Sequence, residues 1–201
     1  MDKNTHYYSK NQDDVASNPQ TFVFNYKNNH FVFKTDNGVF SKDYIDYGSF
    51  VMLNNFMPND IDLPILDMGS GYGAISIVLS KLLNKKFVGV EINERAYNLS
   101  LENAKKNDVD VEFYNGSIYE PIANLTFSSI ITNPPIRAGK EVVYAIFDGA
   151  YERLVSNGEL WVVIQKKQGA PSAKDHLTNL FGNCEIVKRD RGYYILKCVK
   201  K

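Results

Sequence analysis

Asp67-Met68-Gly69-Ser70-Gly71-Tyr72-Gly73-Ala74 closes a short apolar run, Ile65 to Met68, and opens a stretch with helical spacing, Ala74 to Leu83. A strand that turns into a helix over glycines leaves backbone uncovered by side chains, so a ligand can approach it closely. Outward from this turn the chain alternates. Strand-like runs at Phe87 to Ile92, 111 to 114, Ser129 to Thr132 and 159 to 165 are interleaved with helical segments over 94–107 and 140–155. Such alternation predicts an α/β fold, a mostly parallel sheet with helices on both faces. After a helix near 172–181 the pattern changes. Cys184 to Lys188 and Tyr193 to Val199 flank Asp190-Arg191-Gly192, a tight-turn composition, so the sheet is expected to end in an antiparallel hairpin.

Composition narrows the function classes. Apolar residues at 44% and charged residues at 23% are ordinary globular values and exclude a disordered or coiled-coil chain. No apolar run is long enough to span a bilayer. The polar start, Met1 to Gln20, lacks the apolar core of a signal peptide, so a cytoplasmic protein with no membrane partner is expected. Cys184 and Cys198, without a CxxC pattern, suggest neither a disulfide framework nor a metal site, and no metal is expected. His6, His30 and His176 lie far from any Ser or Cys nucleophile pattern, which disfavours a triad hydrolase. Cations and acids balance at 23 each, so nucleic acid is not gripped by net charge alone. From Trp161 onward, however, nine Lys and Arg face three acids, giving either a basic face or solvated strand and helix ends. Three parts are expected: a loosely ordered or peripheral polar lead over 1–20; an extension over 21–58; and one catalytic domain over 59–201. The extension reads as a hairpin (Phe22, Phe24 and Tyr26, then Phe31 and Phe33) followed by a helix from Ser49 to Phe56.

Gly69, Gly71 and Ala74 fit the dinucleotide pattern G-x-G-x-x-G/A. Asp67 at the strand end and the further glycine, Gly73, favour another ligand. A carboxylate there repels a pyrophosphate and suits an ammonium group, which S-adenosylmethionine carries without any phosphate. Asp67, Gly69, Ser70, Gly71 and Gly73 are therefore candidate cofactor residues. Glu91, 22 residues after Gly69 at the next strand end, can accept from ribose hydroxyls, or be a surface acid beside a helix capped by Asn93. Ser117 stands after the third strand where a longer polar group would meet an adenine amine, and Ile92 and Ile118 are apolar walls for that ring or core residues. Thr132-Asn133-Pro134-Pro135-Ile136 follows the fourth strand. Two prolines fix the backbone there, so that the Asn133 side chain and the Pro134 carbonyl can be rigid acceptors facing one point. Such a pair suits a conjugated amine, whose N–H hydrogens it can hold while aiming the nitrogen lone pair at a methyl sulfonium. Asn133, Pro134, Pro135 and Ile136 are thus the catalytic candidates, with Asn133 also near the cofactor.

On these residues the chain resembles the class I S-adenosylmethionine-dependent methyltransferases of the small-domain type. It is most similar to the catalytic domain of the bacterial 16S ribosomal RNA guanine-N2 methyltransferases. The likeness runs from about Phe22 to the C-terminus. It includes Thr35-Asp36-Asn37-Gly38-Val39-Phe40-Ser41, Asp46-Tyr47-Gly48-Ser49 and Gln165-Lys166-Lys167-Gln168-Gly169-Ala170-Pro171-Ser172. The resemblance implies a Rossmann-like sheet of seven strands and ribosomal RNA or the small ribosomal subunit as partner. It places Phe40 and Ser41 over the methionine end of the cofactor, and Lys166, Lys167 and Gln168 on the substrate side. Ile136 stands where base-flipping amino methyltransferases often carry an aromatic ring, so Phe40 and Tyr44 become candidates for that platform. Longer members carry a second, cofactor-free domain, and 201 residues leave no room for it, so recruitment is expected to use the extension, the basic end or a dimer. Three rivals remain: the same chemistry on another RNA, adenine or protein glutamine; a noncatalytic RNA-binding assembly factor; and, more distantly, a nicotinamide oxidoreductase.

Overall fold

The computed structural model describes residues 8–11 and 14–201; residues 1–7, 12 and 13 of the polar lead lie outside the described residues. Lys27 and Asn28 both take positive φ, 45° and 61°, a reversal whose twist matches that of paired strands. It folds β1 (Gln20–Tyr26) onto β2 (Asn29–Thr35) as an antiparallel ribbon. Phe31 and Phe33 are fully buried. The helix α1 (Tyr47–Asn55) starts two residues before the expected Ser49, because the Asp46 carboxylate accepts from the Ser49 N–H and caps it.

Seven strands form the main sheet: β3 (Ile65–Met68), β4 (Phe87–Glu91), β5 (Val111–Asn115), β6 (Phe127–Thr132), β7 (Leu154–Gln165), β8 (Glu185–Asp190) and β9 (Tyr193–Val199). Their order is β5-β4-β3-β6-β7-β9-β8; the first five are parallel, and β9 runs antiparallel between β7 and β8. The expected parallel sheet closed by a C-terminal hairpin is the fold that forms. Helices α2 (Ala74–Leu83), α3 (Glu94–Lys106), α4 (Lys140–Arg153) and α5 (Ala170–Phe181) cover it. Buried strand residues alternate between two cores. Ile65, Phe87, Ile131 and Trp161 pack with the ribbon, α1, α2 and α3, while Leu66, Val88, Ile130 and Leu160 pack with α4 and α5. The ribbon and α1 thus share one core with the sheet.

Two boundaries move for local reasons. β7 begins at Leu154 rather than at 159, since α4 ends at Arg153 and the chain enters the strand through an irregular register against β6. α5 begins at Ala170, with Pro171 in its first turn, where a missing N–H costs nothing.

Two asparagines on α3 finish the ribbon's edge. Asn107 accepts from the Val32 N–H and donates to the Val32 carbonyl, both at 2.9 Å. Asn103 does the same at Lys34 (2.7 and 2.9 Å) and donates again to the Tyr72 carbonyl at 3.0 Å.

Candidate active site

From β3 the chain steps outward to β4 and β5 and then returns to β6 on the other side of β3, the reversal that opens a crevice at strand carboxyl ends. A cleft of about 250 Å³ lies there. Asp67, Gly69, Ser70, Gly71 and Glu91 line it from the β3 and β4 ends, and Asn133 to Ile136 from the β6 end. Phe40, Ser41 and Gln168 also line it.

Gly69 and Gly71 hold φ of 76° and 56°, and among the described residues nothing lies within 4 Å of where a Cβ would stand on either. Their bare backbone faces open space. Gly73 differs: it lies outside the cleft lining, and a Cβ there would meet Ile77 at 2.8 Å and Phe113 at 3.0 Å, so its role is close packing of α2 against the sheet. Asp67 accepts from the Ser76 N–H at 3.1 Å. Burial pushes its carboxyl up to about 7, helped by the nearby Glu91 charge and opposed by the Ser76 bonds. Glu91 accepts from the Gly71 N–H on one oxygen and the Asn93 N–H on the other, each at 2.8 Å. Burial raises its pKa as well, against those hydrogen bonds. Asn93 caps α3 through Ala96, as one sequence alternative had it, and Glu91 is buried rather than a surface acid.

Asn133 is held from an unexpected direction. Its amide nitrogen donates to both Asp46 carboxylate oxygens at 3.1 Å and to Ser49 Oγ at 3.2 Å. Ser49 Oγ in turn donates to Asp46 at 2.7 Å. A carboxylate only accepts, so the amide must present its NH2 to α1, and both its hydrogens are engaged there. Asn133 Oδ1 has no hydrogen bond among the described residues, and Asn133 lines the cleft. Thr132 Oγ1 donates to the Met68 carbonyl at 2.9 Å and ties this turn to β3. The Pro134 carbonyl accepts from the Ile136 N–H at 2.9 Å, an inverse γ-turn about Pro135 (φ −75°, ψ 80°) that fixes its direction and leaves one lone pair open. Replacing Asp46 by Ser keeps a helix cap and removes the carboxylate. Asp46→Ser is therefore expected to hold the melting temperature within about 3 °C while slowing roughly tenfold or more any reaction that depends on the aim of the Asn133 amide. An unchanged rate constant in single-turnover assays would contradict that role for Asp46.

Several sequence candidates stand outside the cleft lining. Ile92, Ser117 and Ile118 flank it; Ile118 sits at φ 47° and packs on the α4–α5 core. Tyr44 is 66% exposed, and it meets the cleft only through its carbonyl, which accepts from the Tyr72 hydroxyl and Ser41 Oγ. Lys166 and Lys167 are exposed on the turn after β7, with the Lys166 N–H donating to the Gly192 carbonyl. Asp46, Ser49, Tyr8 and Tyr193 line the cleft and were not among the candidates. For Asp46 the signal was present, since an Asp three residues before Ser49 is an N-cap pattern. Among the described residues no three metal-binding side chains cluster, and no helix is long and apolar enough to cross a membrane.

Compared with known proteins, residues 30–197 match the family described as methyltransferase small domain. The uncharacterized protein YbxB of Bacillus subtilis is 45% identical over 97% of this chain and 98% of its own length. The ribosomal RNA small subunit methyltransferase C of Erwinia tasmaniensis is 26% identical, covering 96% of this chain and 57% of that protein. Among solved structures, the T. thermophilus 16S rRNA N2 G1207 methyltransferase (RsmC), in complex with AdoMet and guanosine, superposes with a TM-score of 0.82 at 22% identity. That match covers 93% of this chain and 52% of the other. The chain thus spans about half the length of these two methyltransferases.

Proposed function

Because the chain belongs to the methyltransferase small domain family, we propose that it transfers a methyl group from S-adenosylmethionine to the exocyclic N2 amine of a guanine in 16S ribosomal RNA. The observation that carries this reading is the Asn133 amide, whose NH2 is tied to Asp46 and Ser49 so that its oxygen is left for the cleft. An acceptor fixed at that point serves an amine donor.

The residues present fit the cofactor. Open space above Gly69 and Gly71 admits a ligand against the backbone, and Ser70 Oγ is buried there without a hydrogen-bond partner among the described residues. Asp67 and Glu91 give the cleft a negative wall suited to a cation. When bound, S-adenosylmethionine supplies an electrophilic methyl on a sulfonium. Asp67 would meet its ammonium end, and Glu91, with a lone pair open on each oxygen, its ribose hydroxyls. Asn133 Oδ1 and the Pro134 carbonyl would hold the two amine hydrogens and direct the nitrogen lone pair. Phe40, Ser41 and Gln168 would border the acceptor, with Lys166 and Lys167 at its outer edge.

The Asp67 carboxyl makes cofactor binding depend on pH. With its pKa raised from near 4 to about 7, the ionised form is disfavoured in the fold, whose contribution from this group is full below about pH 4 and lost as pH climbs from there to about 7. A bound cation reverses the preference. Affinity is expected to rise between about pH 6 and 7.5, with proton release on binding. Calorimetry at pH 6.5 in buffers of different ionisation heat checks this, and Asp67→Asn is expected to abolish that release.

Methyl transfer to small ribosomal subunits and to naked 16S RNA, both from cells lacking this protein, tests the whole reading. N2-methylguanosine in the product, absent with Asn133→Ala, is the expected result. Ile136 in place of an aromatic ring favours, as a second reading, an acceptor that is not stacked there: another RNA amine, adenine or protein glutamine. Transfer to one of these instead would decide for it. Cofactor binding without transfer to any acceptor would leave a binding role.

A further inference from the structure

The Glu91 end of the cleft is walled from a distant part of the chain. Ile92, Ser117 and Ile118 flank that end without lining it, whereas Tyr8, twelve positions ahead of β1, does line it. Tyr8 is half-buried and faces the Glu91 carboxylate, and burial together with that charge holds its phenol above the usual range.

The lead that carries Tyr8 is fastened along its described length. The Lys10 carbonyl accepts from the Glu94 N–H, the first of α3, at 3.1 Å, so this anchor sits three residues from Glu91 itself. Arg95 Nη2 donates to the Val15 carbonyl at 2.8 Å, and Asn37 Nδ2 to the Ala16 carbonyl at 3.0 Å. The buried Asp36 carboxylate accepts from Ser17 Oγ at 2.7 Å and from the Asn18 N–H at 2.6 Å. These bonds tie a polar, core-free segment to the loop and helix that border the cleft. The tie has no packing purpose of its own, since residues 16–20 remain exposed.

We propose that Tyr8 is a cofactor-binding residue whose ring covers the nucleoside end of S-adenosylmethionine opposite Glu91, making the N-terminal lead the outer wall of that site. The inference rests on the cofactor reading given above. A purine nucleoside offers a flat π face and two ribose hydroxyls. An aromatic ring covers the first at small conformational cost, and the carboxylate accepts from the second. The wall that Ser117 and Ile118 do not provide is supplied from the opposite end of the chain.

Calorimetric titration of the full chain with S-adenosylmethionine and with 5′-methylthioadenosine, which lacks the amino-acid end, tests this. Tyr8→Ala is expected to weaken both ligands by the same factor, roughly tenfold, because the ring acts on their shared nucleoside. Tyr8→Phe is expected to stay within about threefold of the parent. Asp36→Ala, which removes two of the bonds that hold the lead and keeps a tyrosine at position 8, is expected to weaken both ligands in the same direction. Melting curves establish that each variant is folded. Unchanged or tighter binding by folded Tyr8→Ala overturns the assignment while leaving the cofactor reading intact. Failure of the unaltered chain to bind either ligand overturns both.

Discussion

Asn133→Ala is expected to bind S-adenosylmethionine within about threefold of the parent chain and to lose roughly a thousandfold in the rate of methyl transfer, the upper range for removing one preorganised polar group. The asymmetry follows from where the side chain works. Its nitrogen is tied to Asp46 and Ser49 and its oxygen is not, so in the proposed reading truncation takes away an acceptor contact and no cofactor contact. The same change leaves the Asp46 carboxylate short of one donor, yet Ser49 still satisfies it through both its N–H and its hydroxyl. Melting temperature is expected to move by only a few degrees. Single-turnover transfer beside calorimetric cofactor titration reads both quantities. A parallel fall in affinity and rate would remove Asn133 from the acceptor side.

The second large effect belongs to Gly71. At φ 56° with nothing within 4 Å of a Cβ position among the described residues, Gly71→Val strains the backbone but collides with none of them. Its side chain fills the space through which a ligand would reach the turn, and it disturbs the Gly71 N–H that Glu91 accepts. Cofactor affinity is expected to fall by more than about a hundredfold in a chain that still folds, at a stability cost of about 1–3 kcal/mol. Calorimetry and a melting curve separate the two effects. Retained binding would show that the cofactor approaches elsewhere.

These two sites were legible because each is local in sequence. A glycine turn between strand and helix, and an Asn-Pro-Pro turn after a strand, carry their geometry in neighbouring residues. The partners that aim them are not local. Asp46 reaches Asn133 across 87 positions, and Tyr8 reaches Glu91 across a comparable span. No periodicity announces such meetings. Ile118 shows the limit from another side, because a β-branched residue at φ 47° is a conformation its residue type disfavours. The C-terminal cations carried two readings in the sequence, a basic face or solvated strand and helix ends, and several of them have partners within the fold. Lys197 pairs with Glu159 at 2.8 Å and lies over Trp161, Lys200 donates to the Leu154 carbonyl, and Arg191 lies over Tyr47. Lys188 and Arg189 sit exposed on the outermost strand, where charge discourages edge-to-edge association. Part of that charge excess therefore serves the fold itself.

Asn103 couples parts of the molecule that the sheet diagram shows as separate. One side chain grips Lys34 in the ribbon through both its oxygen and its nitrogen, and with its remaining hydrogen it grips the Tyr72 carbonyl inside the glycine turn. Ribbon, amide and turn therefore stand mechanically in series. Slack introduced far out on the hairpin, at Lys27 or Asn28, would travel through that linkage and the ring contact of Phe33 with Tyr72, and emerge as a looser grip on the cofactor, although no residue touching it had changed.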